Sequence, residues 1–178
     1  LGSIMKFDIS ESTRSLIAES MYRWQEKGYD NFEGLFPGMK LILALTDKYH
    51  ALVMNPPYMG GGNMNATLSK YVKDNYEEGK ADVMTVFMVV AENHIEKNGK
   101  IGMITLPSWL FLSTFENLRK NIVVNYHIDS LLHMGRGIFG IDWGSTAFVV
   151  SNCINHAGGM YFRLHKRNFQ HIYYYHIE

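Results

Sequence analysis

Three features of this 178-residue chain predict an α/β domain built on a largely parallel sheet. Short apolar runs alternate with helix-like stretches from Tyr49 to Ser151. One of those runs stops at a Pro-Pro pair, where a strand must hand over to a rigid loop because proline offers no ladder donor. The stretch Asp82 to Lys97 is apolar nearly all round through its first three turns, the pattern of a helix pressed against a sheet.

Ser10 to Lys27 reads as an amphipathic helix, with Leu16, Ile17, Met21 and Trp24 at helical spacing, Asp8 or Ser10 as its cap and Gly28 as its stop. Residues 29–38, rich in Gly, Pro and aromatics, read as a loop, and Met39 to Thr46 as a short helix or a strand. Tyr49 to Met54 is predicted to be a buried strand, followed by Asn55-Pro56-Pro57-Tyr58 and the flexible run Gly60-Gly61-Gly62-Asn63. Leu68 to Tyr76 reads as a short helix. In the long apolar helix Asp82 is the expected N-cap and Gly99 the C′ residue. Lys100 to Leu106 is a strand stopped by Pro107, and Ser113-x-x-Glu116 is a capping box for a helix through Asn125. Tyr126 to His133 and Ser145 to Ser151 read as strands, and the aromatic, His-rich tail from Met160 as strand-like. The whole of 1–178 is expected to be one partial catalytic domain, with its core at 39–151 and the start of a C-terminal extension at 152–178.

Composition narrows the function classes. Apolar residues make up 47% and charged residues 19%, which is globular rather than disordered. The formal net charge is zero, unlike the basic balance of a free-standing nucleic-acid binder. A single cysteine, Cys153, excludes an intrachain disulfide and a Cys-rich metal site, and fits a reducing cytoplasm. No apolar run reaches the ~18–20 residues of a membrane span, so no membrane partner is expected. The opening Leu1-Gly2-Ser3 reads as a cut point of a longer protein.

The chemistry-bearing motif is Asn55-Pro56-Pro57-Tyr58, placed at the C-terminal end of a strand, where α/β sheets bind ligands. An Asn55 side-chain carbonyl accepts one hydrogen of an exocyclic amino group. The Pro56 backbone carbonyl accepts the other, and two prolines fix its direction by locking φ. Holding both hydrogens aims the nitrogen lone pair at a methyl donor without a strong base. Tyr58 supplies a flat face for a flipped base, worth ~1–3 kcal/mol. The plain alternative is a strand-ending turn.

With these residues in view, the run from Tyr49 to Val150 resembles the amino-methyltransferases with an Asn/Asp-Pro-Pro-Tyr/Phe signature. More closely, LGSIMKFDISESTR, VMNPPYMGGGNMNATL, KADVMTVF, GKIGMITLPSWLFLSTFENLR and STAFVV together resemble the PglX-type adenine methyltransferases of bacterial phage-exclusion (BREX) systems, which are similar in turn to fused type II restriction–methylation enzymes. The resemblance implies a Rossmann-like S-adenosylmethionine-dependent methyltransferase fold and methyl transfer to the amino nitrogen (N6) of adenine in DNA. It implies a cytoplasmic bacterial parent in restriction or phage defence, with other defence-system proteins as partners. It places Asn55, Pro56, Pro57 and Tyr58 at the amino-holding and base-stacking positions, Asp82 and Phe87 beside the cofactor together with Asn55, and Phe139 as a second aromatic against the target base. The family's glycine-rich cofactor loop belongs well upstream of the signature. Only 54 residues precede Asn55, and Gly2, Gly28, Gly34 and Gly38 among them are scattered. The cofactor-binding half is therefore expected outside this chain, and the chain alone is expected to be inactive. Two rivals stand beside this reading: the same chemistry on cytosine, an RNA base or a protein glutamine, and a non-catalytic DNA-binding or interaction module.

Other motifs read more plainly. Gly135-Arg136-Gly137-Ile138-Phe139-Gly140 matches G-x-G-x-x-G, but Ile141 to Thr146 lead into a strand rather than a helix, so it reads as a turn-rich loop. His156, His165, His171 and His176 make no tight zinc pattern with Cys153 and read as surface histidines, so no metal is expected. Arg163, His165, Lys166 and Arg167 form the clearest basic cluster, a solvated face or a phosphate contact.

Overall fold

The computed structural model describes residues 2–29, 34–139, 143–154 and 157–165. They form two compact units, 1–48 and 49–178.

The first unit holds α1 (Glu11–Glu26) and α2 (Leu35–Ala44). Ser10 caps α1, its side chain accepting the Thr13 N–H at 3.1 Å, and Gly28 follows the helix at φ 70°. Met21 is buried, whereas Leu16 of the same stripe is 58% exposed. The expected loop at 29–38 is corrected at its end, because Leu35–Gly38 already belong to α2. Pro37 and Gly38 look like loop punctuation, but a proline in the first helical turn lacks only an N–H that has no helical partner there. Phe36 is buried and meets Trp24 edge-on, with ring centroids 6.1 Å apart.

The second unit is a five-stranded sheet of β1 (Tyr49–Met54), β2 (Ile95–Thr105), β3 (His127–Gly135), β4 (Ser145–Ser151) and β5 (Met160–Arg163), in the order β1-β2-β4-β3-β5. The sheet is mixed rather than largely parallel. β1–β2 and β3–β5 are parallel, while β2–β4 and β3–β4 are antiparallel. The nine residues between β3 and β4 are too few for a parallel crossover, which needs a dozen or more, so β4 folds back on β3. Among the described residues β1 stands at the edge of the sheet rather than inside it, and Val53 on it is 87% exposed.

α3 (Ala66–Asn75) is capped by Asn65, whose side chain accepts the Leu68 N–H. α4 (Val83–His94) starts at Asp82 as expected but ends three residues earlier than the pattern suggests. Ile95 is 3% exposed and opens β2, and Asn98 at φ 65° with Gly99 makes the corner. Gly99 is required there because a Cβ would lie 2.9 Å from the His50 carbonyl oxygen. α5 (Glu116–Asn125) has no capping box. Ser113 is spent in a 3-10 turn, Phe115 stands at the N-cap with its ring buried in the core, and Glu116 pairs with Lys120 along the helix at 2.7 Å.

The core lies on one face of the sheet. Met84, Met88 and Ala91 of α4 and Leu118 and Ile122 of α5 pack on Ile101, Met103, Phe148 and Val150, with Trp109 and Phe115 closing the end. No helix among the described residues is long and apolar enough to cross a membrane.

Candidate active site

The parallel pairing of β1 with β2 and the antiparallel return of β4 bring Met54, Thr105 and Ser145 to one end of the sheet. Asn55-Pro56-Pro57-Tyr58 leaves β1 at this end. Pro56 is buried and anchors the turn, while Asn55, Pro57 and Tyr58 are exposed. The Tyr58 hydroxyl donates to Asn55 Oδ1 at 3.0 Å. A carboxamide oxygen has two lone pairs, so this bond orients the Asn55 carbonyl and leaves it a second acceptor position. Burial pushes the Tyr58 phenol pKa up from its ordinary value.

The loop after Tyr58 is stapled to the start of α4. Asp82 Oδ1 accepts the Met84 N–H at 2.8 Å, as an N-cap does, and also the Met59 N–H at 3.2 Å. Val83 N–H donates to the Met59 carbonyl and Gly61 N–H to the Ala81 carbonyl. Beneath this clasp the Thr85 hydroxyl sits 2.8 Å from the Gly79 and Asp82 carbonyls, to which it donates. Gly79 lies so close that a Cβ would be 2.7 Å from the Thr85 carbonyl oxygen. Asp82 therefore acts on the motif through the backbone of Met59. Reasoning from sequence named Asp82 but missed Met59, Gly79 and Thr85. Nothing in a linear pattern signals that Gly79 will pass under a helix start.

Phe87 is half-buried on the second turn of α4, apart from the core cluster. Phe139 is 55% exposed in the loop after β3. No helix opens at Gly135 or Gly137; both have φ above 80°, the turn geometry expected, and Gly140 lies outside the described residues. His165 is not a surface residue. It is 3% exposed, with Nε2 3.1 Å from Nδ1 of His133. His156, His171, His176, Lys166 and Arg167 lie outside the described residues. Among the described residues no group of three or more His, Cys, Asp or Glu is placed to hold a metal ion.

A family model described as Eco57I restriction-modification methylase matches residues 5–139. The adenine-specific methyltransferase BrxX of Escherichia coli O9:H4 (strain HS) is 32% identical over 96% of this chain. The adenine-specific methyltransferase PglX of Lacticaseibacillus casei (strain Zhang) is 40% identical over 60% of it. The matched regions are 15% and 9% of those two proteins, so the chain spans a small part of their length. Among solved structures, the type I restriction-modification methyltransferase subunit from Streptococcus thermophilus matches with a TM-score of 0.50 at 17% identity, over 83% of this chain and 32% of that one, a likeness of fold.

Proposed function

The chain belongs to the Eco57I restriction-modification methylase family, and on that premise we propose that it is the catalytic part of a DNA methyltransferase that moves a methyl group from S-adenosylmethionine to the N6 amino nitrogen of adenine. The observation that carries this reading is the Asn55–Tyr58 pair, an oriented carbonyl acceptor beside an exposed aromatic ring on a loop fixed at its far end by Asp82. The parent protein is proposed to work in restriction or phage defence, as the restriction-modification and adenine-specific names of its relatives suggest.

In this mechanism the target base leaves the duplex, because its amino group is unreachable inside the stack. Asn55 Oδ1 accepts one amino hydrogen through its remaining lone pair, and the Pro56 carbonyl accepts the other. The two bonds draw hydrogens into the plane of the acceptors and turn the nitrogen lone pair outward, a positioning effect of the kind that supplies much of the rate in cofactor-dependent transfer. Tyr58 stacks on the base, and Phe139 is proposed to cover it from the loop after β3. S-adenosylmethionine, when bound, supplies the electrophilic methyl group. The donor set here suits one wall of that site. Asn55 and Phe87 are proposed to line it, while Asp82 Oδ1 is already filled by two backbone N–H groups and fits a positioning role.

Nucleoside mass spectrometry on DNA from cells expressing the full-length parent tests the proposal. N6-methyladenine that disappears in an Asn55→Ala control is the expected result. Absence of any new methylated base in wild-type DNA would overturn the assignment of DNA adenine as substrate.

A further inference from the structure

The run Gly60-Gly61-Gly62 leaves the catalytic motif directly after Met59, and the transfer chemistry gives it no task. The conformation it holds does not need glycine. None of the three has a positive φ, and Gly60 sits at φ −60° and ψ 151°, a region open to every residue. A Cβ on Gly60 or Gly62 would meet nothing within 4 Å, and one on Gly61 would touch the Ala81 carbonyl oxygen at an ordinary 3.4 Å. Gly79 and Gly99 are the contrast, where a Cβ would lie 2.7 and 2.9 Å from backbone oxygens. Glycine where neither φ nor space requires it weakens a fold, because the unfolded chain keeps freedom that folding must remove. This conformation leaves three such residues in succession without a reason.

The segment is anchored on both sides. Upstream, the Met59 N–H donates to Asp82 Oδ1, the Met59 carbonyl accepts the Val83 N–H, and the Gly61 N–H reaches the Ala81 carbonyl at 2.8 Å. Downstream, Asn65 caps α3, and Val72 on that helix is fully buried. Between them a single 3-10 turn closes on itself, the Asn63 N–H donating to the Gly60 carbonyl at 2.9 Å and the Met64 N–H to the Gly61 carbonyl at 3.3 Å. Gly62 and Asn63 are exposed. Such a turn is remade by rotating a few dihedrals, as the hinges of closing loops are. The motif beside it is open, with Asn55, Pro57 and Tyr58 facing solvent. Water there competes for the carbonyl that must hold an amino hydrogen, and a cover removes that competition.

We propose, resting on the DNA-methyltransferase reading of the Asn55 site, that Gly60 to Met64 is a strap that swings over the target nucleotide once the base has left the duplex. Its closed state uses left-handed backbone at Gly60 and Gly62, which glycine adopts freely and other residues resist. Closure excludes water from Asn55 and Tyr58 while Met59 stays fixed to Asp82. The strap acts after the duplex is bound, so it governs the transfer step rather than the grip on DNA.

The test uses the complete enzyme that contains this chain, with a duplex carrying the site that it methylates in cells. Hydrogen exchange read by mass spectrometry should slow in peptides spanning Gly60 to Asn65 when the duplex and S-adenosylhomocysteine are both bound. Gly60→Ala and Gly62→Ala should each slow single-turnover methyl transfer by roughly 5- to 30-fold, the effect of a side chain in a left-handed position. DNA affinity should be unchanged, and the thermal midpoint should not fall, because alanine fits the open state. Transfer at the wild-type rate by the double variant would overturn the strap and leave the Asn55-dependent reaction standing. A midpoint that falls in step with the rate would also overturn it, since the open state itself would then need the glycines. Absence of methylation by the wild-type enzyme would bring down the reading of the Asn55 site, and the strap with it.

Discussion

Replacing Tyr58 by Phe and by Ala separates the two roles that the geometry assigns to it. Phe keeps the ring and removes the hydroxyl that donates to Asn55 Oδ1 at 3.0 Å. A net hydrogen bond contributes ~0.5–1.5 kcal/mol. At a residue 37% exposed the lower half of that range applies, so Tyr58→Phe should slow methylation by roughly 2- to 5-fold. Ala removes the stacking face as well, a further ~1–3 kcal/mol, or roughly 5- to 150-fold. The assay is single-turnover transfer of a labelled methyl group to duplex DNA by the full-length enzyme, compared with Asn55→Ala. The predicted order is wild type, then Tyr58→Phe, then Tyr58→Ala. Equal losses in the two Tyr58 variants would refute the stacking role. A Tyr58→Phe rate equal to wild type would refute the orienting role of the hydroxyl.

Asp82 and its neighbours give further tests. Asp82→Ala removes the acceptor for Met59 and Met84 N–H together, and should lower thermal stability by an amount near the ~1 kcal/mol of a lost cap. Asp82→Asn keeps a carbonyl acceptor and should recover most of both stability and methylation; a null Asp82→Asn enzyme with full stability would instead mark the charge as essential. Gly79→Ala forces a Cβ against the Thr85 carbonyl and should destabilise by ~1–3 kcal/mol in chemical denaturation, whereas an unchanged midpoint would mean the backbone there yields freely. Glu92 on α4 is pushed up to about 7, first by burial, then by the charge of Glu78, against the opposing hydrogen bond from Asn121. Its folded pKa lies above its unfolded value of 4.5, so its contribution is fully present below pH 4.5 and is lost as pH rises through about 7. Glu92→Gln should therefore match wild type in denaturation at pH 4.5 and exceed it at pH 8 by up to about 2 kcal/mol, allowing for partial exposure; a gap independent of pH would refute the assignment.

The sequence by itself determined the family, the position of the Asn55–Tyr58 motif at a strand end, and most helices. These are local signals: residue types at short spacing, a proline pair that must stop a ladder, and apolar periodicity. It also identified Asp82 as a helix cap, because the cap lies directly before the apolar run that it opens. Tertiary structure decided what depends on partners distant in the chain. Among the described residues β1 pairs with β2 and no other strand, and alternation along six residues cannot count neighbours. α4 stops at His94 because Ile95 is drawn into the core, overriding a helical pattern that runs on to Lys97. Ser113 yields its capping role because burying Phe115 fixes how the chain enters α5. His165 reads as a surface residue in a basic run and becomes a buried partner of His133, 32 positions away, because β5 lies parallel to β3. Burial and pairing are properties of the assembled sheet, and no window of the sequence contains both sides of such a contact.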